Sequence, residues 1–140
     1  MCPTVDLADQ QAGKLRDHLS SSYQIKLLTG NDAVNTWRSQ KVWDDALKNV
    51  DVVVCTYQIL LDGLTHAFLS ISNISLLVFD EAHHCSRGHA ANRIMQQFYH
   101  VAKKETPWVE LPHILGLSAS PVVRRDPNTL QYVTSRCRKY

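Results

Sequence analysis

The sequence predicts an α/β domain built on a parallel sheet with crossover helices. Short apolar runs rich in β-branched residues recur along the chain, with amphipathic stretches between or beside them. Most of those runs are apolar throughout rather than alternating, the pattern of strands buried on both faces. At 140 residues and 44% hydrophobic content the chain is long and apolar enough for one cored domain, and no internal repeat or Gly/Ser-rich linker marks a second.

Taken in order, a first strand closes near Pro3, and Ala8, Ala12, Leu15 and Leu19 then share one helical face. Gln24 to Leu28 forms the next strand. Gly30-Asn31-Asp32 makes a turn, and Trp37, Trp43, Ala46 and Leu47 suggest a shorter helix. A strand over Asp51 to Cys55 precedes a helix whose apolar face is Leu60, Leu64 and Phe68. Ser75 to Phe79 is a further strand, and Ala91, Ile94, Phe98 and Val101 line the helix after it. His113 to Leu117 is the last strand, and beyond Asp126 the periodicity fades into a basic tail.

Fifteen Lys and Arg against thirteen Asp and Glu leave a formal charge of +2, too little for a dedicated electrostatic nucleic-acid binder. Cys2, Cys55, Cys85 and Cys137 lie far apart, which excludes a disulfide scaffold and fits reduced thiols. No run approaches the roughly 20 apolar residues of a membrane span, and Met1 to Asp9 lacks a secretory leader. The expectation is a soluble intracellular protein, cytoplasmic or nuclear, with no membrane partner.

The chemistry concentrates in Leu76-Leu77-Val78-Phe79-Asp80-Glu81-Ala82-His83, a hydrophobic strand that delivers two adjacent acids at its carboxyl end. Ligands of open α/β sheets gather at that edge. Nucleotide hydrolysis needs one carboxylate to hold Mg²⁺ and a second group to activate water, and adjacent residues point in different directions. Asp80 suits the metal and Glu81 the water. As an isolated pair, the same acids would equally be a solvated turn.

Other segments decide the matter by their order. Cys2-Pro3-Thr4-Val5 with Gln10-Gln11, Thr29-Gly30, Thr56-Tyr57-Gln58-Ile59-Leu60, Asp80-Glu81-Ala82-His83 and Ser118-Ala119-Ser120-Pro121 resemble, in sequence, motifs Ia, Ib, Ic, II and III of superfamily-2 DExH-box helicases. The wording of Val53 to Asp62 and of Gly116 to Val123 is similar to the Dicer and duplex-RNA-sensor branch, above all the fungal Dicer-like proteins. The resemblance implies an incomplete RecA-like domain over residues 1–125, with 126–140 a truncated tail. It implies ATP and Mg²⁺ as cofactors of an intact parent, with catalytic Asp80 and Glu81 and with His83, Ser118 and Ser120 coupling nucleotide state to nucleic-acid grip.

By the same resemblance Thr4, Thr29, Gly30, Thr56 and Gln58 lie along the nucleic-acid track, where hydroxyls, amides and backbone N–H groups hold phosphates and sugars without reading bases. Singly, each is more readily a turn residue or helix cap, and only the collinear set lifts them. The implied partners are RNA, double-stranded by resemblance, and a second RecA-like domain; the implied role is RNA silencing. His83, His84, Cys85 and His89 have the wrong spacing for a zinc knuckle, so no zinc is expected. The tryptophans Trp37, Trp43 and Trp108 are assigned to core or loop packing.

No Gly-Lys-Ser/Thr phosphate loop occurs in the 140 residues: Gly13-Lys14 is followed by Leu15 inside a helical pattern. The expectation is therefore a truncated chain that lacks the first strand and phosphate loop of the domain and is inactive alone. The alternative is a non-catalytic nucleic-acid-binding or regulatory remnant of the same fold.

Overall fold

The computed structural model describes residues 1–30, 39–85, 88–106 and 108–119. Asn31, Asp32, Trp37, Ser120, Pro121, Cys137 and the tail 126–140 lie outside them. The chain forms two compact units, Met1–Ser70 and Ile71–Tyr140.

In the first unit, helix α1 (Val5–His18) begins where the Thr4 side chain accepts a hydrogen bond from the Leu7 N–H at 3.3 Å. Asp6 in its first turn and Arg16 and His18 in its last agree with the helix dipole. Ala8 and Ala12 are fully buried and pack with Cys2 and Val54, edged by Leu7, Leu15, Ile25, Leu27 and Val52. Two alanines on one face let α1 lie close on strands β1 (Ile25–Leu28) and β2 (Val52–Cys55). Those strands pair in parallel, Ile25 opposite Val52 and Leu28 opposite Cys55. The strand expected to close near Pro3 is a single parallel bridge: Cys2 N–H donates to the Cys55 carbonyl at 2.9 Å, and Tyr57 N–H to the Cys2 carbonyl at 3.2 Å.

Helix α2 (Gln40–Leu47) precedes β2, and α3 (Tyr57–Thr65) follows it. Tyr57, Ile59, Leu60, Leu61, Gly63 and Leu64 are all buried, so α3 is covered nearly all round rather than along one face. Phe68 does not extend that face. The helix stops because Ala67 adopts a left-handed conformation (φ 56°), with its N–H on the Leu64 carbonyl and the Phe68 N–H on the Gly63 carbonyl. This is a Schellman stop with alanine where glycine is usual. Phe68 instead stacks on buried Trp43 of α2, ring centroids 5.9 Å apart. A Cβ at Gly63 would lie 2.9 Å from Leu69 Cδ1 and 3.2 Å from Trp43 Cη2, so the glycine admits the contacts that close this corner.

In the second unit, β3 (Leu76–Phe79) pairs in parallel with β4 (His113–Gly116), Leu76 opposite His113 and Phe79 opposite Gly116. The ladder runs past both ends, with His113 N–H on the Ser75 carbonyl and Leu117 N–H on that of Phe79. Helix α4 (Ala90–Ile94) passes through a π-helical turn, Met95–Tyr99, into α5 (His100–Glu105). The π turn takes up an extra residue and rotates α5 relative to α4. Ala91 and Ile94 are accordingly buried, whereas Val101, expected on the same face, is 40% exposed.

Burial on both faces is not what β3 and β4 show. Leu76 is 53% exposed, and every residue of β4 is exposed. Apolar composition makes a strand suitable for burial but does not supply the element that covers it. Trp108, expected in packing, stands 80% exposed after α5. Among the described residues no helix is long and apolar enough to cross a membrane.

Candidate functional site

The carboxyl edge of β3 carries the acids. After the apolar strand the chain turns sharply, and Glu81 takes a left-handed conformation (φ 52°, ψ 47°) that costs a non-glycine residue about 1–2 kcal/mol. Neighbouring bonds hold it there. Glu81 N–H donates to Asp80 Oδ1 at 3.1 Å, and Ala82 N–H donates to the Leu117 carbonyl at 2.8 Å, tying the acid turn to the extension of β4. A 3₁₀ turn over Ala82–His84 comes next, its carbonyl at Ala82 accepting from Cys85 N–H at 3.0 Å.

This turn brings His83 over the end of the neighbouring strand. His83 Nδ1 lies 2.9 Å from Ser118 Oγ and 3.1 Å from Glu81 Oε2. The nitrogen carries at most one proton. With that proton on Nδ1 the ring donates to the Ser118 oxygen; without it the Ser118 hydroxyl donates to the ring. His83 thus joins the acid turn to Ser118 across 35 positions of sequence.

Asp80 and Glu81 together are hard oxygen donors. Among the described residues no group of three or more His, Cys, Asp or Glu converges as a closed metal cage. One or two carboxylates fit Mg²⁺ shared with phosphate oxygens and water, the usual arrangement of that ion in nucleotide sites. His89, in the cluster weighed for zinc, has a structural use: its Nδ1 accepts from Ala91 N–H at 3.3 Å and caps α4.

The nucleic-acid candidates fall in the first unit. Thr29 and Thr56 each stand one residue beyond paired Leu28 and Cys55, and Cys2 bridges to Thr56, so Thr4, Thr29 and Thr56 meet at the carboxyl edge of β1 and β2. Exposed Gly30 follows Thr29. Their chemistry differs in detail. The Thr4 hydroxyl caps α1, Thr29 is only 4% exposed, and Gln58 donates to Asp62 Oδ1 at 2.7 Å within α3. Thr56 heads α3 without a side-chain capping bond. Exposed Gly30 and the Thr56 hydroxyl are therefore the groups best presented to a strand.

Sequence reasoning did not single out Gly116 or the Leu117 carbonyl. A Cβ at Gly116 would stand 3.2 Å from the Ala82 Cβ. The available signal was the glycine itself, in an apolar strand where its lack of a side chain often marks a close approach.

The chain is similar to known proteins in sequence and fold. The family model described as DEAD/DEAH box helicase matches residues 1–126. Dicer-like protein 2 of Coccidioides immitis is 48% identical over 131 residues, 94% of this chain and 9% of that protein. Dicer-like protein 2 of Phaeosphaeria nodorum is 50% identical over 122 residues, 87% of this chain and 8% of that protein. Among solved structures, the Pyrococcus furiosus Hef helicase domain superposes with a TM-score of 0.63 at 27% identity, covering 95% of this chain and 25% of that one. The parallel α/β arrangement is thus RecA-like, and the chain spans under a tenth of the length of these two curated relatives.

Proposed function

The chain belongs to the DEAD/DEAH box helicase family, and from that premise we propose that it is the acid-box segment of an ATP-driven motor acting on RNA, double-stranded RNA in particular. The observation that carries this reading is the junction of Glu81, His83 and Ser118 at the carboxyl edge of β3 and β4. Its likeness to Dicer-like proteins supports the choice of RNA.

In this reading Asp80 holds the metal of a Mg²⁺-nucleotide, directly or through its water. The bound metal and nucleotide supply the phosphoryl centre and neutralise its charge. Glu81 orients the attacking water and accepts its proton. Through one nitrogen His83 meets both the Glu81 carboxylate and the Ser118 hydroxyl, so a shift of the segment after β4 reaches the water-activating group. Ser120 belongs to that segment by sequence. Thr4, Thr29, Gly30, Thr56 and Gln58 form the nucleic-acid edge of the first unit. A second RecA-like domain completes the motor.

These residues provide the metal and water side of a nucleotide site but no Gly-Lys-Ser/Thr cradle for the triphosphate. The 140-residue chain by itself is therefore expected to show no ATP turnover. The test is RNA-stimulated ATP hydrolysis by a longer protein that joins this segment to a phosphate-binding loop. Stimulated hydrolysis abolished by Glu81→Gln supports the motor. Undiminished hydrolysis in that variant refutes the assignment, and RNA binding without any hydrolysis favours the regulatory alternative.

A further inference from the structure

Gly116 lies inside β4 opposite Phe79, and its backbone does not use the positive-φ freedom of glycine. Glycine weakens a strand and leaves no side chain to pack, so its use here points to space rather than conformation. The space is taken by Ala82. A Cβ at Gly116 would approach the Ala82 Cβ to 3.2 Å, inside the 3.4–4 Å of ordinary contact.

Ala82 has little room to retreat. Its N–H is bonded to the Leu117 carbonyl at 2.8 Å, and its carbonyl accepts from Cys85 N–H at 3.0 Å. The residue before it is Glu81, already in the left-handed region, and the residue after it is His83. On the strand side, Leu117 and Ser118 directly follow Gly116. Any separation forced between 82 and 116 is therefore passed to the His83–Ser118 contact at 2.9 Å, which spans the same gap. Hydrogen bonds of this kind span roughly 2.7–3.2 Å, so this contact can lengthen by only about 0.3 Å before it is lost.

We propose that Gly116 and Ala82 are positioning residues, a matched pair of small side chains whose contact sets the height of the acid turn over β4 and so holds His83 and Ser118 in bonding reach. Neither touches a reacting group. The proposal rests on the role of Glu81 and His83 in the motor, but its test does not depend on ATP hydrolysis.

The test compares the 140-residue chain with Gly116→Ala, Ala82→Gly and the double variant, without nucleotide. The readouts are the ring-nitrogen NMR signals of His83 and the thermal midpoint, with Ser118→Ala marking the signal position when the Ser118 bond is lost. Gly116→Ala is expected to move the His83 signals towards that position, and adding Ala82→Gly should bring them back by removing the opposing Cβ. Should Gly116→Ala prevent folding, the double variant should restore both the fold and the signals. Unchanged His83 signals in folded Gly116→Ala, or a double variant no closer to the parent than the single one, would overturn the proposal. Failure of the motor reading would appear separately, as absent hydrolysis with these ring signals unaffected.

Discussion

His83 Nδ1 stands 2.9 Å from the Ser118 hydroxyl oxygen, and the same nitrogen faces the Glu81 carboxylate at 3.1 Å. A single ring nitrogen thereby connects the end of β3 with the segment after β4. Under the proposed function this is the point where nucleotide state and nucleic-acid grip would communicate, because either end can move only by altering the bond.

Breaking that bond from either side should have one shared consequence. In a motor that carries this segment, His83→Ala and Ser118→Ala should each reduce RNA stimulation of hydrolysis several-fold, with nucleotide affinity nearly unchanged. The double variant should lose little more than either single one, leaving a coupling of about 1 kcal/mol in the double-mutant cycle. Steady-state hydrolysis with and without RNA measures this, and fully additive losses would remove His83–Ser118 from the coupling path.

The two acids should separate by the parameter they change. Glu81→Gln keeps the shape but cannot accept a proton, so turnover should fall by at least about 100-fold while Mg²⁺-nucleotide binding survives. Asp80→Asn should weaken binding as well. Nucleotide titration beside turnover distinguishes them, and equal mild effects would contradict the division of roles.

Ala67 offers a stability test away from the site. Its left-handed φ of 56° at the end of α3 is strained for alanine, and its N–H already makes the helix-stopping bond to Leu64. Ala67→Gly should therefore raise stability by about 0.5–1 kcal/mol after the added unfolded-state entropy of glycine is subtracted. A denaturant midpoint that falls would count against this backbone account.

Burial pushes the Cys55 thiol up from 9.0 to about 11, with the amino terminus acting in the opposite direction. Since the folded thiol holds its proton longer than the unfolded one, its stabilising effect is complete below about pH 9 and is lost as pH rises through 11. About 2–3 kcal/mol is at stake. Melting from pH 8.5 to 11 should accordingly decline more steeply for the parent than for Cys55→Ala, and Cys55 should react with thiol reagents more slowly than half-buried Cys85.

The sequence by itself determined the α/β class, the approximate place of every described strand, and the two acids at the end of β3. These are local properties: β-branched apolar runs between polar turns announce strands, and two carboxylates after such a run announce a charged edge. The ordered motifs also pointed to the helicase family that the residue 1–126 match shows. Only the tertiary structure decided which strand ends meet. The pairing of Phe79 with Gly116 brings Ser118 to His83, the Schellman turn at Ala67 takes Phe68 off the helix and onto Trp43, and the π turn leaves Val101 exposed. None of these is written in a window of neighbouring residues. Each depends on a partner brought up by the fold, as the left-handed Glu81 depends on the bond that anchors Ala82 to Leu117.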